Sequence, residues 1–582
     1  MAVTATIPTS GTNSCVRLRT LAGIGLSTGT NHAPPGFAQP DEWLTADAAA
    51  NYDIALGVDS SKGASVAGVG GRGISCNHNY SYLTAVLEKA TGGNSTERSP
   101  QLRNFTFIIG VRHPIGNRNL ISQATGGPFD TGCPGVMFYG FSNQTGVGVE
   151  NGFGLSITVN GRPTATLHGL PSGTGAWSQA VASQADEHQP HAACVGVGPE
   201  VLICQSNTTG MRVGRYANGT ITWSSYTSPI TSANATLRTP YTNTHLVGSG
   251  ANGPSAQVYL DPRNSVSTYT SLAEFEDGTL SDATLYPYCQ WALNHANGDA
   301  TYPEPTKAIV CIGDSITAGL TSHSGVNYVS VLESALRKNL VAVYNKGFEF
   351  ATASGIRGSI TVASGGTYDS TVYNWSDPTT FQAMIPANGI STTQRPFGQV
   401  LYLINLGVND LLNGDGTGTA TSGNMQTLVN AIDQVAKNAK QYRGATSVGI
   451  ILPCLQVFSG ITAEAQNKVL YAALLAKTGA NFDFVFNTPA EVPELCCNAS
   501  ETDIKSIQTK ALGAAWQVPH IDTSGTNITL DGHGDAAGTG TNWPHYGPIG
   551  HTLLGQALAR HSGVQTALGL TTTKRQYIPI KM

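Results

Sequence analysis

At 582 residues the chain is too long for a single hydrophobic core, and roughly two to four domains are expected. Charged residues make up only 12%, about half the ~25% usual in soluble domains, while 68 glycines imply turn-dense, β-rich architecture with neutral polar surfaces. A net charge of −5 without a basic cluster argues against nucleic acid as a partner and removes any attraction to anionic membranes, and 40% hydrophobic residues argue against disorder.

The opening Met1-Ala-Val-Thr-Ala-Thr-Ile-Pro8 has neither the basic start nor the apolar core of a secretory signal. No run in the chain approaches the ~20 apolar residues that cross a bilayer, so no membrane insertion is expected. Residues 1–100 hold Pro, Gly and Ser clusters and one short amphipathic stretch, Tyr82-Leu-Thr-Ala-Val-Leu-Glu-Lys89. They are assigned no fold, and an attachment or oligomerisation segment is the reading kept for them.

From 101 to 293 the pattern is β. Phe105, Phe107, Ile109 and Val111 alternate, as do Leu155, Ile157 and Val159. Asn160-Gly161 then turns the chain into Thr164-Ala-Thr-Leu167, a strong hairpin signal. Further strands are expected at Val201–Cys204, Thr244–Val247 and Val258–Leu260. Many short strands with turn signals imply a β-sandwich or jelly roll, and the layout resembles a lectin-type (concanavalin- or laminin-G-like) sandwich. Asn294–Pro305 reads as a linker.

Between 306 and 570 strands alternate with helices. Strand-like runs fall at 308–312, 341–344, 400–406, 448–453 and 482–486. Tyr328, Val331, Leu332 and Leu336 share one helical face, and Leu428, Val429, Ile432, Val435 and Ala439 share another. Such alternation builds a three-layer α/β domain on a parallel sheet. A polar insertion, Gly358–Gly398, interrupts it, and residues 571–582 are left as a tail. The ten cysteines are irregularly spaced and include no CxxC pair, so neither a disulfide scaffold nor zinc is expected. Cys311 and Cys454 read as small buried hydrophobes.

Four short motifs stand at element ends, in order. The run Ala308–Ile312 delivers Gly313-Asp314-Ser315; Asn345-Lys346-Gly347 ends the next apolar run; Gly407-Val408-Asn409-Asp410 ends another; Pro544-His545 precedes a C-terminal amphipathic helix. Serine needs a base to become a nucleophile, and histidine titrates in the right range. Open parallel sheets gather loops at the carboxyl ends of their strands, which would join residues this far apart in sequence.

These motifs together resemble the SGNH (GDSL-type) hydrolase family over roughly residues 306–570. The resemblance implies a flavodoxin-like sheet, with Ser315 as nucleophile and His545 as base. It also implies an oxyanion hole formed by the backbone N–H groups of Ser315 and Gly347 and the amide of Asn409. No cofactor and no metal are implied. His533, in Asp531-Gly-His-Gly-Asp535, and His551 are weaker candidates for the base, and His551 reads as a residue at the start of a helix. The family places Asp three residues before the His, where this chain has Asn542. Three arrangements stay open: Asp531 or Asp535 folds back onto the ring, with Asp531 the favoured acid; Asn542 orients it without charge; or a Ser-His dyad leans on a backbone carbonyl. Trp543, Tyr546 and Trp375 could stack on sugar rings or simply pack in the core.

The expected function is removal of short acyl groups, O-acetyl above all, from a polysaccharide. An SGNH domain behind a lectin-like sandwich resembles bacteriophage tail spikes or fibres acting on bacterial surface glycans. That resemblance implies a homotrimer on the virion, made in the host cytoplasm. A free extracellular bacterial carbohydrate esterase, and a non-catalytic receptor-binding fibre protein, are the alternatives.

Overall fold

Every apolar run marked after residue 306 becomes a strand, and all five run the same way. Lys307–Gly313, Val341–Gly347, Gln399–Asn405, Ser447–Ile451 and Phe484–Phe486 form one parallel sheet. Their order across it is second, first, third, fourth, fifth. This is the flavodoxin-like winding, in which the chain reverses direction between the first and third strands and leaves a crevice at their carboxyl ends. Residues 308–312 are buried at every position, as a central parallel strand covered on both faces must be. The computed structural model describes residues 196–207, 210–226, 268–297, 300–319, 327–348, 351–355, 359–361, 367–369, 374–387, 389–391, 395–411, 422–453, 463–492, 495 and 548–570. It also describes the strand at 243–248 and those named below that lie before residue 196.

Helices Tyr328–Leu336, Ser422–Arg443, Ala463–Leu475 and Pro548–Arg560 alternate with the strands or close the domain. The apolar faces read from sequence point inward: Tyr328, Leu332, Leu336, Leu428, Val429, Ile432, Val435 and Ala439 are all buried. Cys311 is buried and unpaired with any other cysteine, as a small hydrophobe should be. The insertion at 358–398 holds a short hairpin, Ser359–Thr361 with Thr367–Asp369, and a helix, Pro378–Met384, capped by Asp377. Trp375 within it corrects the sugar-stacking expectation. Its indole is 1% exposed and meets Phe348 and Phe381 edge-on, at centroid distances of 5.6 and 5.9 Å. A ring enclosed in this way contributes core packing and has no face to offer a sugar.

The N-terminal half contains two large antiparallel sheets. One aligns Thr220–Trp223, Gly210–Ala217, Pro199–Asn207, Phe105–Arg112, Thr268–Asp277, Ser14–Arg19 and Glu42–Thr45; the other aligns Ser178–Ser183, Pro163–Gly169, Glu150–Ile157, Gly135–Asn143, Asn243–Gly248, Ser81–Val86 and Asp53–Val58. Strands 163–169 and 178–183 of the second sheet lie against 210–217 of the first. The strands on either side of Asn160-Gly161 pair antiparallel, with Ile157 opposite Pro163, while the turn residues themselves lie outside the described residues. Strands from residues 14–86 pair into both sheets, so the stretch to which the sequence assigns no fold shares its hydrogen-bonded ladders with the stretch after 101. The strand expected at Val258–Leu260 lies outside the described residues.

A helix missing from the sequence reading runs from Asp282 to Ala296, within the segments read as strand and linker. Leu285, Tyr288, Cys289 and Ala292 pack it onto Ile108, Val201, Ile203 and Tyr216 of the first sheet. The segment leading into that sheet also touches the parallel sheet directly. The Val197 N–H donates to Val343 O at 2.8 Å, on the outer edge of the parallel sheet.

Candidate active site

The carboxyl ends of the first three parallel strands are held level. Gly313 stands opposite Gly347 on one side and Asn405 on the other. Three of the four motifs therefore emerge side by side at the switch point of the sheet.

Beyond Gly313 the chain turns at once into the short helix Ser315–Ala318. Asp314 caps it, its Oδ1 accepting from the Ile316 N–H at 2.9 Å, and Gly319 ends it with φ of 86°, a left-handed conformation suited to glycine. Ser315 opens this helix and is 7% exposed. Gly313 leaves no room for a side chain, since a Cβ there would fall 1.9 Å from Thr317 Oγ1.

Asn345 binds the second strand end to this turn. Its Nδ2 donates to Thr317 O at 2.8 Å, and its Oδ1 accepts from the Gly347 N–H at 2.9 Å. The Gly347 N–H, expected in the oxyanion hole, is thus engaged in an Asx turn of its own strand end. Gly347 instead has a steric role: a Cβ there would lie 2.1 Å from the Ala318 nitrogen. The strand end and the Ser315 helix touch backbone to backbone.

The segment after Gly347 connects the serine turn to the third motif. The Phe348 N–H donates to Gly313 O at 3.0 Å. Asn409, 6% exposed on the short helix Val408–Leu411, donates from Nδ2 to Ala351 O at 3.0 Å. A primary amide carries two such hydrogens, and committing one fixes the direction of the other. Asp410 accepts from the Ala353 N–H at 2.9 Å and the Ser354 N–H at 2.8 Å, and also from the Ser354 hydroxyl. It is the loop anchor that its place beside Asn409 suggests.

Two buried carboxyls set the electrostatics. Burial lifts Asp314 to about 7, helped by the nearby charge of Asp410 and opposed by the Ile316 N–H. Burial also raises Asp410, while its bonds to Ser354 and Ala353 hold it back.

Sequence reasoning placed Tyr328 on a buried helical face but missed its contact with the site. The Tyr328 hydroxyl lies 2.8 Å from Thr317 Oγ1, so it braces the turn that carries Ser315. Its ring stacks on His551 at 6.2 Å, and its backbone N–H donates to His551 Nδ1 at 3.2 Å. His551 is thereby a buried contact at the start of helix Tyr328–Leu336, with its ring proton on Nε2. The one available signal was Tyr328 itself, a hydroxyl-bearing residue on an otherwise apolar helical face. Asp531, His533, Asp535, Asn542, Trp543, His545 and Tyr546 lie outside the described residues. Among the described residues no group of three His, Cys, Asp or Glu side chains is placed to hold a metal ion.

Residues 311–493 match the sequence model of the GDSL-like lipase/acylhydrolase family, a stretch that contains Ser315, Gly347 and Asn409. No curated protein matches the chain. Among solved structures, the chain is similar to a carbohydrate esterase family 2 enzyme with its carbohydrate-binding domain from Corynascus thermopiles (Myceliophthora fergusii). Identity is 13% and TM-score 0.30, over 79% of this chain and 99% of that one. It is similar also to a catalytic mutant of an acetylxylan esterase from Geobacillus stearothermophilus, at 13% identity and TM-score 0.27, over 46% and 97%. An acetyl xylan esterase from Butyrivibrio proteoclasticus gives 11% and 0.28, over 90% and 96%. The resemblance to GDSL-like lipases/acylhydrolases thus lies in residues 311–493, on the parallel sheet.

Proposed function

We propose that the chain is a serine esterase that removes O-acetyl or similarly short acyl groups from a polysaccharide. One observation supports this above the rest: equal register brings the Ser315 turn, the 348–354 loop and Asn409 together at the switch point of a parallel sheet. In the reaction Ser315 Oγ attacks the ester carbonyl as His545 takes its proton. The tetrahedral oxyanion is met by the Ser315 N–H and the Asn409 amide; each preorganised donor of this kind is worth roughly 10²–10³ in rate. Collapse expels the sugar alkoxide, which receives the proton back from His545. Water, deprotonated by His545, then releases acetate and regenerates the serine. Asp531, Asn542 or a backbone carbonyl orients the imidazole, and Trp543 and Tyr546 stand beside His545 in sequence, where flat rings suit a sugar.

The antiparallel half fits a lectin-like sandwich that holds the polymer near the site. For the setting, the pairing of this domain with an antiparallel sandwich resembles bacteriophage tail spikes, which implies a homotrimer on the virion; a free carbohydrate esterase is the alternative. The test is acetate release from an acetylated bacterial polysaccharide, followed by NMR, with p-nitrophenyl acetate as the simple substrate. Wild-type protein releases acetate from both, and Ser315→Ala loses at least about 10³-fold in kcat on both. Equal rates for the two proteins would remove Ser315 from the mechanism and favour a non-catalytic binding protein.

A further inference from the structure

The short helix that carries Ser315 has only four residues, too few to hold its own orientation. Something outside it must fix where the serine points relative to Asn409. Asn345 holds the turn from one side, donating to Thr317 O. On the other, Thr317, two residues after Ser315, places its hydroxyl 2.8 Å from the Tyr328 hydroxyl. Tyr328 is 0% exposed and is fixed at its other end by His551, through both backbone and ring. A buried hydroxyl paired with a side chain of the turn behaves as a rigid stop, since any shift leaves a buried group without its partner.

We infer that Tyr328 is a positioning residue for the esterase reaction: its hydroxyl holds the Ser315 turn in place through Thr317, and with it the direction of the serine relative to Asn409. The inference rests on the esterase reading. The phenol touches no substrate and moves no proton. It acts by keeping nucleophile and oxyanion donor at a fixed separation, and misplacement by about an ångström costs on the order of 10²-fold in rate. Helix Pro548–Arg560 shares in this, because His551 fixes Tyr328 from that helix.

Tyr328→Phe removes one oxygen and keeps the ring on His551. The expected result is a fall in kcat on p-nitrophenyl acetate of about tenfold or more, with KM changed less than about twofold. Labelling of Ser315 by a fluorophosphonate should slow to a similar extent. Thr317→Val removes the opposing hydroxyl at nearly constant shape and should produce the same kcat loss, whereas Thr317→Ser, which retains it, should restore most of the rate. The Tyr328→Phe/Thr317→Val double variant should be little worse than either single one, because the two hydroxyls act through each other. Melting temperatures measured alongside identify a variant that is merely unfolded, and the Thr317 pair then decides. If the Tyr328→Phe or Thr317→Val variant melts lower but turns over at the wild-type rate, the tyrosine is only a packing group and the inference fails while the esterase reading stands. A wild-type protein with no Ser315-dependent hydrolysis or labelling overturns both.

Discussion

Asp314 carries two obligations that conflict. As a cap it must accept a hydrogen bond from the Ile316 N–H, which favours the charged form, yet it is buried beside Asp410, which favours the neutral one. Burial prevails, and the group keeps its proton up to about 7, against an ordinary value of 3.8. The sign of the linkage follows: the folded protein binds this proton between those limits and the unfolded chain does not. The stabilisation is therefore complete in acid below the ordinary value and disappears as pH rises through about 7. Asp314→Asn preserves a cap oxygen and removes the titration. Its melting temperature should change less between pH 5 and pH 8 than that of the wild type, which should decline from pH 5 and level off above about 7. Parallel melting curves for the two proteins would assign the titration elsewhere. Ser315 and Asn409 were legible from sequence because each ends an apolar run with a short polar motif. Tyr328 and Asn345 were not, since their work consists of hydrogen bonds to residues far away in the chain, which no local pattern encodes.

At the scale of elements, the parallel sheet was the most legible part. Continuous β-branched runs separated by amphipathic segments have few other solutions, and each expected run falls on a strand. Helix Asp282–Ala296 shows where that reading fails. Leu285, Tyr288, Cys289 and Ala292 have helical spacing, but Pro287 interrupts the string and resembles a breaker. Pro287 stands in the second turn and forfeits one backbone hydrogen bond, and burial against the first antiparallel sheet outweighs the loss. Trp375 misled in the opposite way, because an aromatic residue in a polar insertion looks exposed until Phe348 and Phe381 are seen to enclose it. The junction of strand Val341–Gly347 with helix Ser315–Ala318 yields a test of its own. Gly347→Ala keeps the backbone N–H but drives a methyl to 2.1 Å from the Ala318 nitrogen, so strand and helix must separate. Stability should drop by about 1–3 kcal/mol in urea unfolding, and esterase activity should fall with it. A variant with wild-type stability would show that the contact yields freely.

Across the whole molecule, the two halves meet through buried charge. Glu200, on strand Pro199–Asn207 of the first antiparallel sheet, pairs with Arg215 of the neighbouring strand and with Arg395 at 3.1 Å, on the insertion of the hydrolytic half. Arg395 also reaches Glu304 at 3.5 Å, so two carboxylates balance two guanidiniums. Burial alone would push Glu200 up, but the two arginines outweigh it and hold the group below its ordinary 4.5. Its contribution is thus present at neutral pH and lost as pH falls through that lowered value. A buried pair adds little over a hydrophobic contact of the same shape, and breaking an isolated one costs about 3–5 kcal/mol; here Glu200 keeps Arg215, so removing Arg395 costs less than that. Arg395→Met should therefore do more than lower the melting temperature. With Val197–Val343 left as the direct backbone link between the sheets, calorimetry should separate one transition into two, one for each half. Ser315-dependent hydrolysis of p-nitrophenyl acetate should persist below the first transition, because the small ester needs only the parallel-sheet domain. If the antiparallel half holds the polymer, as proposed, hydrolysis of an acetylated polymer should suffer more. A single transition at the wild-type temperature would mean that the charge cluster does not join the halves, and that the backbone link and apolar contacts suffice.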